Sequence, residues 1–380
     1  MNVRRWSGIR RAGVSGGKAD VLMTTDTLGG VWNYCVELAF ALEDLGLRTL
    51  VAAMGAPITR SQRNDISALR NLDVLESNFR LEWMSDPWRD VARAGEWLLS
   101  IESEWHPSII HLNGYAHAAL NWRAPVIVVA HSCVLSWWRA VYGADAPSEW
   151  NAYREAVARG LAVADTVIAP SHAMLDSVRA IYGNPRRTCV IYNARRPSLF
   201  KPAEKGEYLF AAGRVWDQAK NFDLLDKIAS SLPWKVYLAG PLAQACDQKR
   251  SCLSALTQLG NLSSCQMRQW LASAPVFIHP AKYEPFGLAS LDAALSKCAL
   301  VLGDIPSLRE LWDGAAIFVS PDDPDQLRQS IFSLIRHQDL RLKLGDAAYQ
   351  RALSFSPRRM AELYFRLYNE ACERHDSLER

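Results

Sequence analysis

The chain has 380 residues, of which 49% are hydrophobic and 22% charged, and this composition excludes an intrinsically disordered protein for most of its length. Lysine and arginine outnumber aspartate and glutamate by only 43 to 40, so the net charge of +3 gives no support to a nucleic-acid partner. No apolar run approaches the roughly 18 residues of a membrane-spanning helix, and the length predicts roughly two to three domains.

The cysteines and the N-terminal segment indicate a cellular compartment. None of the eight cysteines forms a CxxC pair, so the sequence predicts no metal site of that kind. Residues 1–18 hold five basic and no acidic residues, but no apolar segment follows, and a secretion signal is not expected. We expect a cytoplasmic protein with reduced thiols. Residues 1–18 are predicted to be a disordered basic tail; the alternative is a weak contact with anionic lipid at the inner face of the membrane.

Short apolar runs alternate with segments of helical period, which is typical of a parallel α/β fold. In the first half of the chain, a helix predicted at 31–45 follows the first strand, and Ser171 is predicted to cap a helix that ends at Gly183. The strands predicted in this half are 20–24, 47–53, 108–112, 125–130, 166–169 and 188–191.

A polar stretch with two prolines, 195–206, separates this alternation from a second one. The second alternation predicts strands at 208–212, 235–239, 276–279, 299–303 and 316–320. It predicts a helix through Leu224 and Ile228 and further helices at 287–297, 324–336 and 358–373. The sequence therefore predicts two doubly wound domains, at 19–200 and 201–357, and a C-terminal helix within 358–380 that packs back toward the first domain. Ligands of such folds bind at the carboxyl ends of the strands, which makes the cleft between the domains the expected site.

Gly29 and Gly30 follow the first predicted strand and open the helix after it. Glycine allows a ligand to approach the backbone closely, and the N-terminus of a helix offers free N–H groups to an anion. Trp32 and Asn33 occupy the later positions, so this is not a GxGxxG motif. The alternative interpretation is an ordinary tight turn between a strand and a helix.

Arg214 and Lys220 follow the first strand of the second half, beside Gly213 and Asn221. Two cations at the end of a strand suit a diphosphate, because arginine offers a planar fork of donors and lysine a point charge. The alternative interpretation is a solvated loop.

Glu284 and Asp292 lie in a segment where an apolar strand is followed by a helix. They are eight residues apart, which is close to two helical turns, so both carboxylates can face the same side. The backbone N–H groups of Gly287 and Leu288 lie at the positive end of the helix dipole and are predicted to take phosphates. One carboxylate can then hold the hydroxyls of a sugar and the other those of a ribose.

The segment 284–292 resembles the E-x7-E motif of the retaining glycosyltransferases of family 4. The resemblance extends over about residues 19–375, because the Gly29-Gly30 loop, Arg214 with Lys220, and the run 279–288 occur in the family's order. It implies the GT-B fold, in which two Rossmann-like domains face a cleft. The combination of motifs is specific, although each motif alone is not.

The resemblance also implies a role for each residue. Arg214 and Lys220 would bind and neutralise the nucleotide diphosphate, Glu284 would contact the donor sugar, and Asp292 would contact the ribose. The implied phosphate contacts are Gly287, Leu288 and, from the acceptor domain, the loop of Gly29 and Gly30.

His131, at the end of the predicted strand 125–130, matches the family's active-site histidine. The resemblance implies a hydrogen bond from it to the donor sugar near the anomeric centre, whereas without the family it would be a capping or core residue. Ser171 and Asn193 match recurrent family positions too, but we interpret them as a helix cap and a turn.

Four features depart from the family's pattern. Ser296-Lys297 stands where the family often has a glycine after a small residue, and Ala299 replaces a common proline; the other two departures lie in the predicted site. Asp292 is one methylene shorter than the usual glutamate, and the gap between Arg214 and Lys220 is one residue longer than the commonest spacing. The essential charges are nevertheless present.

The implied function is transfer of a sugar from a nucleotide-diphosphate donor, carrying UDP, GDP or ADP, to a hydroxyl acceptor with retention of configuration. No second carboxylate is identifiable as a nucleophile, which favours a front-face route in which the leaving phosphate helps to deprotonate the acceptor. Asp322-Asp323-Pro324 is interpreted as a loop and helix start, so no metal or other cofactor is expected. The alternatives are an epimerase or hydrolase of nucleotide sugars, and a catalytically silent binding protein.

The acceptor is the least defined partner: a glycan, a lipid-linked molecule or a small molecule. Ten of the 14 tryptophans lie in the first 200 residues, and Trp137, Trp138, Tyr142 and Trp150 follow His131 closely. Aromatic faces can stack on sugar rings, although ordinary core and interface aromatics are the alternative.

Overall fold

The computed structural model describes residues 4–5, 21–241 and 253–378. The predicted tail at 1–18 lies outside the described residues, apart from Arg4 and Arg5. The two long described ranges, 21–241 and 253–378, consist mainly of parallel strands connected by helices.

The chain divides into two compact units, each of which has its own sheet. The first unit holds the chain up to Ser136, Asp145–Ala194 and the chain from Pro357 onward, and the second holds Trp137–Ala144 and Arg195–Ser356. The predicted division placed Trp137–Ala144 in the first domain. The structure groups it with the second unit, where Trp137 Nε1 donates to Asp217 Oδ1 at 2.9 Å.

The first unit is built on an eight-stranded sheet. Its strands are β1 (Arg4–Arg5), β2 (Val21–Asp26), β3 (Thr49–Met54), β4 (Leu72–Glu76), β5 (Ile109–Leu112), β6 (Val126–Val129), β7 (Thr166–Ala169) and β8 (Thr188–Val190). The order is β1-β4-β3-β2-β5-β6-β7-β8, and all neighbours are parallel except β1 and β4. The helices between these strands are α1 (Gly30–Glu43), α2 (Arg60–Ile66), α3 (Trp88–Trp105), α4 (Val134–Tyr142), α5 (Asn151–Val163) and α6 (His172–Tyr182).

The second unit is built on a six-stranded parallel sheet. Its strands are β9 (Tyr208–Ala212), β10 (Lys235–Ala239), β11 (Thr257–Gly260), β12 (Val276–His279), β13 (Ala299–Gly303) and β14 (Ala316–Val319), in the order β11-β10-β9-β12-β13-β14. Its helices are α7 (Phe222–Ala229), α8 (Ser264–Ser273), α9 (Leu288–Leu295), α10 (Pro306–Trp312), α11 (Pro324–Arg336) and α12 (Gln338–Ala352). The last helix, α13 (Pro357–Leu378), belongs to the first unit.

The central strands of both sheets are buried on both faces, which is why they appear in the sequence as continuous apolar runs. In β9, Leu209 and Phe210 are both fully buried but belong to different core clusters, because successive side chains point to opposite faces. In the first unit, α13 packs its buried Tyr364 and Tyr368 near α1.

The fold class predicted from the sequence is confirmed, and every predicted strand lies within two residues of an observed one at each end. The helices predicted at 324–336 and 358–373 correspond to α11 and α13, but the helix α12 between them was not predicted. Only Gly345, Ala348 and Ala352 of α12 are buried, and such small residues give little apolar periodicity. The strands β4 and β11 and the helices α2, α3, α4, α5, α8 and α10 were also not predicted, and neither was β1, which lies within the segment predicted to be a disordered tail.

Candidate active site

The second unit carries two of the predicted cations and both predicted acids. Arg214 follows β9, and His279 is the last residue of β12, which pairs with β9 in parallel. Since parallel strands end at the same edge of a sheet, the loops after β9 and β12 meet there. A hydrogen bond of 2.8 Å from Lys282 N to Ala219 O joins these two loops directly.

Lys220, Glu284 and His279 form a charged cluster at this edge. Lys220 Nζ lies 2.7 Å and His279 Nε2 lies 3.0 Å from the same oxygen, Oε2 of Glu284. The side chains are 13%, 1% and 14% exposed for Lys220, His279 and Glu284. Burial alone would raise the pKa of Glu284, but the Lys220 charge and the His279 hydrogen bond outweigh it and hold that pKa well below its usual value. Glu284 is therefore ionised near neutral pH.

His279 is a neutral donor in this cluster. Burial lowers its pKa, with a further lowering from Lys220, although Glu284 opposes the shift. The neutral ring donates Nε2–H to Glu284, and its buried Nδ1 has no hydrogen-bond partner. Ser307 Oγ donates to the backbone carbonyl of Glu284 at 2.5 Å. The backbone and the carboxylate of Glu284 are thus both fixed in place.

Gly287 forms the turn between Glu284 and α9. It takes φ = 87° and ψ = 64°, in the left-handed region that glycine adopts without strain. A Cβ atom at this position would lie 3.2 Å from Cγ of Glu284, which is already held on two sides. The N-cap residue of α9 is Gly287 itself, which has no side chain to cap the helix, and the first helical residue is Leu288. The N-terminus of α9 therefore presents backbone N–H groups and the positive end of the helix dipole close to Glu284, which suits a phosphate.

Arg214 lies on the same loop as Lys220 but contacts a different carboxylate. Its Nη2 is 2.7 Å from Oδ2 of Asp217, and its guanidinium lies 5.3 Å from the ring centroid of Trp216. The three-ten turn Gln218–Lys220 separates the two cations. The structure thus places both predicted diphosphate ligands at one sheet edge, each paired with a buried acid.

The first unit places Gly29 and Gly30 at the carboxyl end of β2, between that strand and α1. Asp26 Oδ1 accepts from Leu28 N at 2.9 Å, and Thr27 Oγ1 donates to Ala56 O at 2.8 Å, so the loop is held on both sides. Gly29 is the N-cap residue of α1, and no side chain caps this helix either.

His131 follows β6 at the same edge of this sheet. Its Nε2 lies 2.8 Å from Oδ1 of Asn113, and Nδ2 of Asn113 donates to Thr24 O at 2.6 Å. Because a carbonyl oxygen only accepts, the amide oxygen of Asn113 must face His131, and His131 must carry its proton on Nε2. Burial, together with His111, lowers the pKa of His131 to about 3. The ring is therefore neutral near pH 7, with Nδ1 as an acceptor.

Buried aromatic residues of the first unit pack against His131. The ring of Tyr34, on α1, meets the imidazole of His131 edge-on at 4.4 Å between centroids. Tyr34 OH lies 3.2 Å from Nε2 of His111, and Nδ1 of His111 lies 2.6 Å from the hydroxyl of Tyr368 on α13. The C-terminal helix thus contacts the histidine through a chain of three side chains.

Comparisons with known proteins agree with this architecture. Residues 28–199 match the model of Glycosyltransferase Family 4, and residues 206–337 match the model of Glycosyl transferases group 1. The two matches include all of the predicted site residues. The chain belongs to glycosyltransferase family 4.

Two curated relatives of this glycosyltransferase are also sugar-transferring or sugar-phosphate-forming enzymes by name. The O-antigen chain mannosyltransferase RfbU of Salmonella typhimurium is 24% identical over 174 residues, or 43% of this chain. The alpha-maltose-1-phosphate synthase of Mycolicibacterium smegmatis is 26% identical over 294 residues, or 67% of this chain. The matched parts span about half (49%) of the first relative's length and 75% of the second's.

Solved structures show the same GT-B fold. Sucrose-phosphate synthase from Thermosynechococcus elongatus superposes with a TM-score of 0.77 at 17% identity, over 93% of this chain and 99% of that chain. Anabaena HepE, in complex with UDP and glucose, superposes with a TM-score of 0.74 at 17% identity, over 93% and 100% of the two chains.

Asp292 of this glycosyltransferase is paired with an arginine, Arg195, that was not predicted from the sequence. Arg195 binds this carboxylate through two hydrogen bonds, Nε to Oδ1 at 2.7 Å and Nη2 to Oδ2 at 3.2 Å. The side chains are only 8% and 13% exposed. Burial raises the pKa of Asp292 in spite of Arg195, which lowers it. A carboxylate buried on a helix needs a partner, but nothing in the sequence indicates that the partner lies 97 residues upstream.

Ser171 and Asp323 have the structural roles predicted for them, whereas Asn193, predicted to lie in a turn, does not. Ser171 caps α6, and its side chain accepts from Met174 N at 3.1 Å. Asp323 caps α11 in the same way, through Gln326 N at 2.9 Å. Asn193 lies in an irregular segment after β8, with its Oδ1 buried and without a hydrogen-bond partner.

The described residues contain no group of three or more His, Cys, Asp or Glu side chains that could hold a metal ion. They also contain no helix that is long and apolar enough to cross a membrane.

Proposed function

We propose that this glycosyltransferase moves a sugar from a nucleotide-diphosphate donor to a hydroxyl acceptor, with retention of configuration and without a metal ion. The observation that carries the proposal is the cluster of Lys220, Glu284 and His279 beside the uncapped N-terminus of α9. It puts a cation, an ionised acid and backbone N–H donors at one sheet edge. A sugar linked to a diphosphate needs all three.

Each group has a place in the reaction. Lys220 and Arg214 neutralise the diphosphate, which gains negative charge as its bond to the sugar breaks, and the N–H groups of Gly287 and Leu288 add hydrogen bonds. Preorganised donors aimed at a leaving group contribute roughly 3 kcal/mol each to transition-state stabilisation. Departure of the leaving group is thus the step that the second unit assists.

Retention of configuration is proposed from the family. The front-face route is consistent with the neutral protonation state of His131. The neutral His131 carries no proton on Nδ1, so it can accept a hydrogen bond from a sugar hydroxyl but cannot protonate the leaving group through that nitrogen. In the proposed route the leaving phosphate takes the proton of the acceptor hydroxyl. The family resemblance assigns the backbone N–H groups of Gly29 and Gly30 to the diphosphate as well.

The nucleotide is the first property to test. The HepE structures include complexes with UDP and with UDP-glucose, so uridine donors are the first choice, followed by GDP- and ADP-sugars. A thermal-shift titration identifies the donor, because a ligand at 100 times its Kd stabilises the folded state by about 2.7 kcal/mol. The absence of a shift with every nucleotide sugar would contradict the proposal.

Product analysis then separates the classes of enzyme. With the donor identified, NMR of the products in the presence and absence of acceptor distinguishes transfer from hydrolysis and epimerisation, and gives the anomeric configuration. A transferase forms a new glycosidic bond with the donor's configuration. Free sugar or an epimer as the main product would establish the alternative function, and binding without turnover would establish a silent binding protein.

Turnover is expected to persist in excess EDTA. Lys220 and Arg214 supply the positive charge that neutralises the diphosphate. In metal-dependent enzymes a divalent cation supplies that charge. The measurement compares initial rates with EDTA, with added Mg²⁺ and with added Mn²⁺. A strict requirement for either ion would refute metal-independent transfer.

A carbohydrate is the acceptor that the aromatic residues favour. Trp137, Trp138 and Tyr142 form a trio with ring centroids 4.7–5.9 Å apart, and Tyr142 is 48% exposed. Exposed aromatic faces can stack on sugar rings. A glycan, free or lipid-linked, is therefore proposed before a small non-carbohydrate acceptor. A cytoplasmic location, with or without contact of residues 1–18 with the membrane, remains a prediction.

His131→Ala is expected to lower kcat by about tenfold to a hundredfold and to change donor KM less. The reason is that a contact near the reacting carbon strengthens in the transition state. Initial rates over a donor concentration series measure the split. His172→Ala, at the exposed start of α6, is the control and should leave both constants unchanged. Unchanged kcat with a lower melting temperature would make His131 a structural residue.

A further inference from the structure

Asp217 is a buried acid inside the loop that is one residue longer than the family's commonest spacing. Asp217 is only 4% exposed, and its carboxylate accepts four hydrogen bonds. Oδ1 accepts from Ala219 N at 3.0 Å and from Trp137 Nε1 at 2.9 Å. Oδ2 accepts from Arg214, from Nη2 at 2.7 Å and from Nε at 3.2 Å. Capping of a short three-ten turn would need only the first of these bonds.

Both the charge and the geometry of Asp217 are directed at Arg214. Burial alone would raise the pKa of Asp217, but Arg214 and Lys220, with the hydrogen bonds from Arg214 and Trp137, lower it below its usual value. The acid is therefore ionised. It holds one edge of the guanidinium, while the ring of Trp216 lies 5.3 Å from the guanidinium carbon. An arginine side chain held by an edge and a face loses much of its conformational freedom before any ligand arrives.

We propose that Asp217 is a positioning residue that orients Arg214 toward the diphosphate, and that Trp137 fixes Asp217 in turn. The inference rests on the proposed function, in which Arg214 binds the leaving group. A preorganised guanidinium stabilises developing charge without a further ordering cost, whereas a mobile one must be ordered during the reaction.

Asp217→Asn is the variant that isolates this role. The amide is isosteric, and its oxygen can keep the bonds from Ala219 N and Trp137 Nε1. Its NH2 group then faces the Nε and Nη2 donors of Arg214, where no hydrogen bond can form. The cap is retained while the orientation of Arg214 is lost.

We expect Asp217→Asn to lower kcat by about tenfold to a hundredfold, with a melting temperature close to wild type. In the background of Arg214→Ala, the same substitution should cause no further loss, because Asp217 acts through Arg214. Trp137→Phe, which keeps a ring but loses the indole donor, should give a smaller loss in the same direction. Asp223→Asn, at an exposed position in α7, is the matched control and should be unchanged.

An independent readout needs no substrate. The Nε–H proton NMR signal of Arg214, identified by its loss in Arg214→Lys, should exchange slowly in the wild-type protein and become fast in Asp217→Asn. Wild-type rates or faster turnover in Asp217→Asn, an additive loss in the double variant, or an unchanged Nε–H signal would each overturn the positioning role. Failure of the proposed function would appear differently, as a wild-type protein that binds no nucleotide sugar while the Nε–H signal still responds to Asp217.

Discussion

Glu284→Gln is expected to lower kcat by about 10²–10³-fold, with little change in donor KM or melting temperature. In the wild-type protein, Lys220 and His279 both donate to Oε2 of Glu284, which leaves Oε1 as the oxygen for a ligand. In the variant, the amide oxygen must take the position of Oε2, because Lys220 and His279 only donate there. The NH2 group then takes the position of Oε1.

This change reverses the hydrogen-bonding character of the atom that we assign to the sugar. Where the wild-type protein presents a negative acceptor, the variant presents a neutral donor, while shape and the two internal hydrogen bonds are kept. The sugar gains positive charge as the leaving group departs, so a nearby negative charge matters most in the transition state. The loss should therefore fall on kcat rather than on binding of the ground state.

Steady-state rates over a donor series measure both constants, and thermal unfolding checks the fold. Glu204→Gln, at an exposed position before β9, makes the same chemical change away from the cluster and should have no effect. Lys220→Ala is expected to lower kcat by a similar factor through loss of the charge opposite the diphosphate. Near-wild-type kcat in Glu284→Gln would remove Glu284 from the reaction.

The elements of the fold that were predicted well from the sequence are those whose burial is visible in their own residues, as a short apolar run. The strands β7, β9, β10, β12 and β13 were predicted with their observed bounds, because a strand covered on both faces is a short apolar run bounded by polar residues. The half-exposed β11 and the helix α12, with its small buried residues, lack such a pattern and were missed.

The candidate site shows the same division. Glu284 and Asp292 were proposed as site residues from the sequence, because their chemistry and their spacing are local features. Residues that act through a partner were not: Asn113 contacts His131 from 18 positions away, and Arg195 contacts Asp292 from 97. Such pairs are set by tertiary packing, and a single sequence has no local signal for them. Asp217 was likewise not predicted, because its four donors come from Arg214, Ala219 and Trp137 and are set by the fold.

Arg195→Leu is expected to destabilise the protein by about 3–5 kcal/mol and to raise donor KM. The substitution leaves the buried Asp292 without its counter-charge, and an uncompensated buried carboxylate is much more costly than a lost pair. In contrast, Arg195→Leu combined with Asp292→Leu should recover most of the stability, because a buried ion pair replaced by apolar side chains is often neutral.

The donor KM of the double variant, Arg195→Leu with Asp292→Leu, tests the role of Asp292 separately from stability. If Asp292 holds the ribose, the double variant folds well but keeps a donor KM raised by about tenfold or more, with kcat nearly unchanged, since the ribose does not react. Asp292→Ala should show the same KM effect. Asp292→Glu, which restores the length usual in the family, must also fit its extra methylene against Arg195, and tolerance of it depends on that fit.

The pH dependence of stability supplies a test that is independent of the donor. Burial already raises the pKa of Asp292 with Arg195 present, and removal of Arg195 raises it further. A carboxyl group with a raised pKa binds more protons in the folded state, so folding is favoured as pH falls. The stability deficit of Arg195→Leu should therefore shrink between pH 8 and about pH 5 in urea unfolding experiments.

Arg328→Leu is the matched control for this prediction. Its guanidinium is 40% exposed and lies 3.1 Å from Asp325, and loss of such an exposed pair changes stability by less than about 1 kcal/mol at any of these pH values. Equal and pH-independent losses in Arg195→Leu and Arg328→Leu would mean that Arg195 contributes no more than a surface charge. A double variant with wild-type donor KM would move the ribose contact away from Asp292, because the substitution would then have removed the acid without touching the donor.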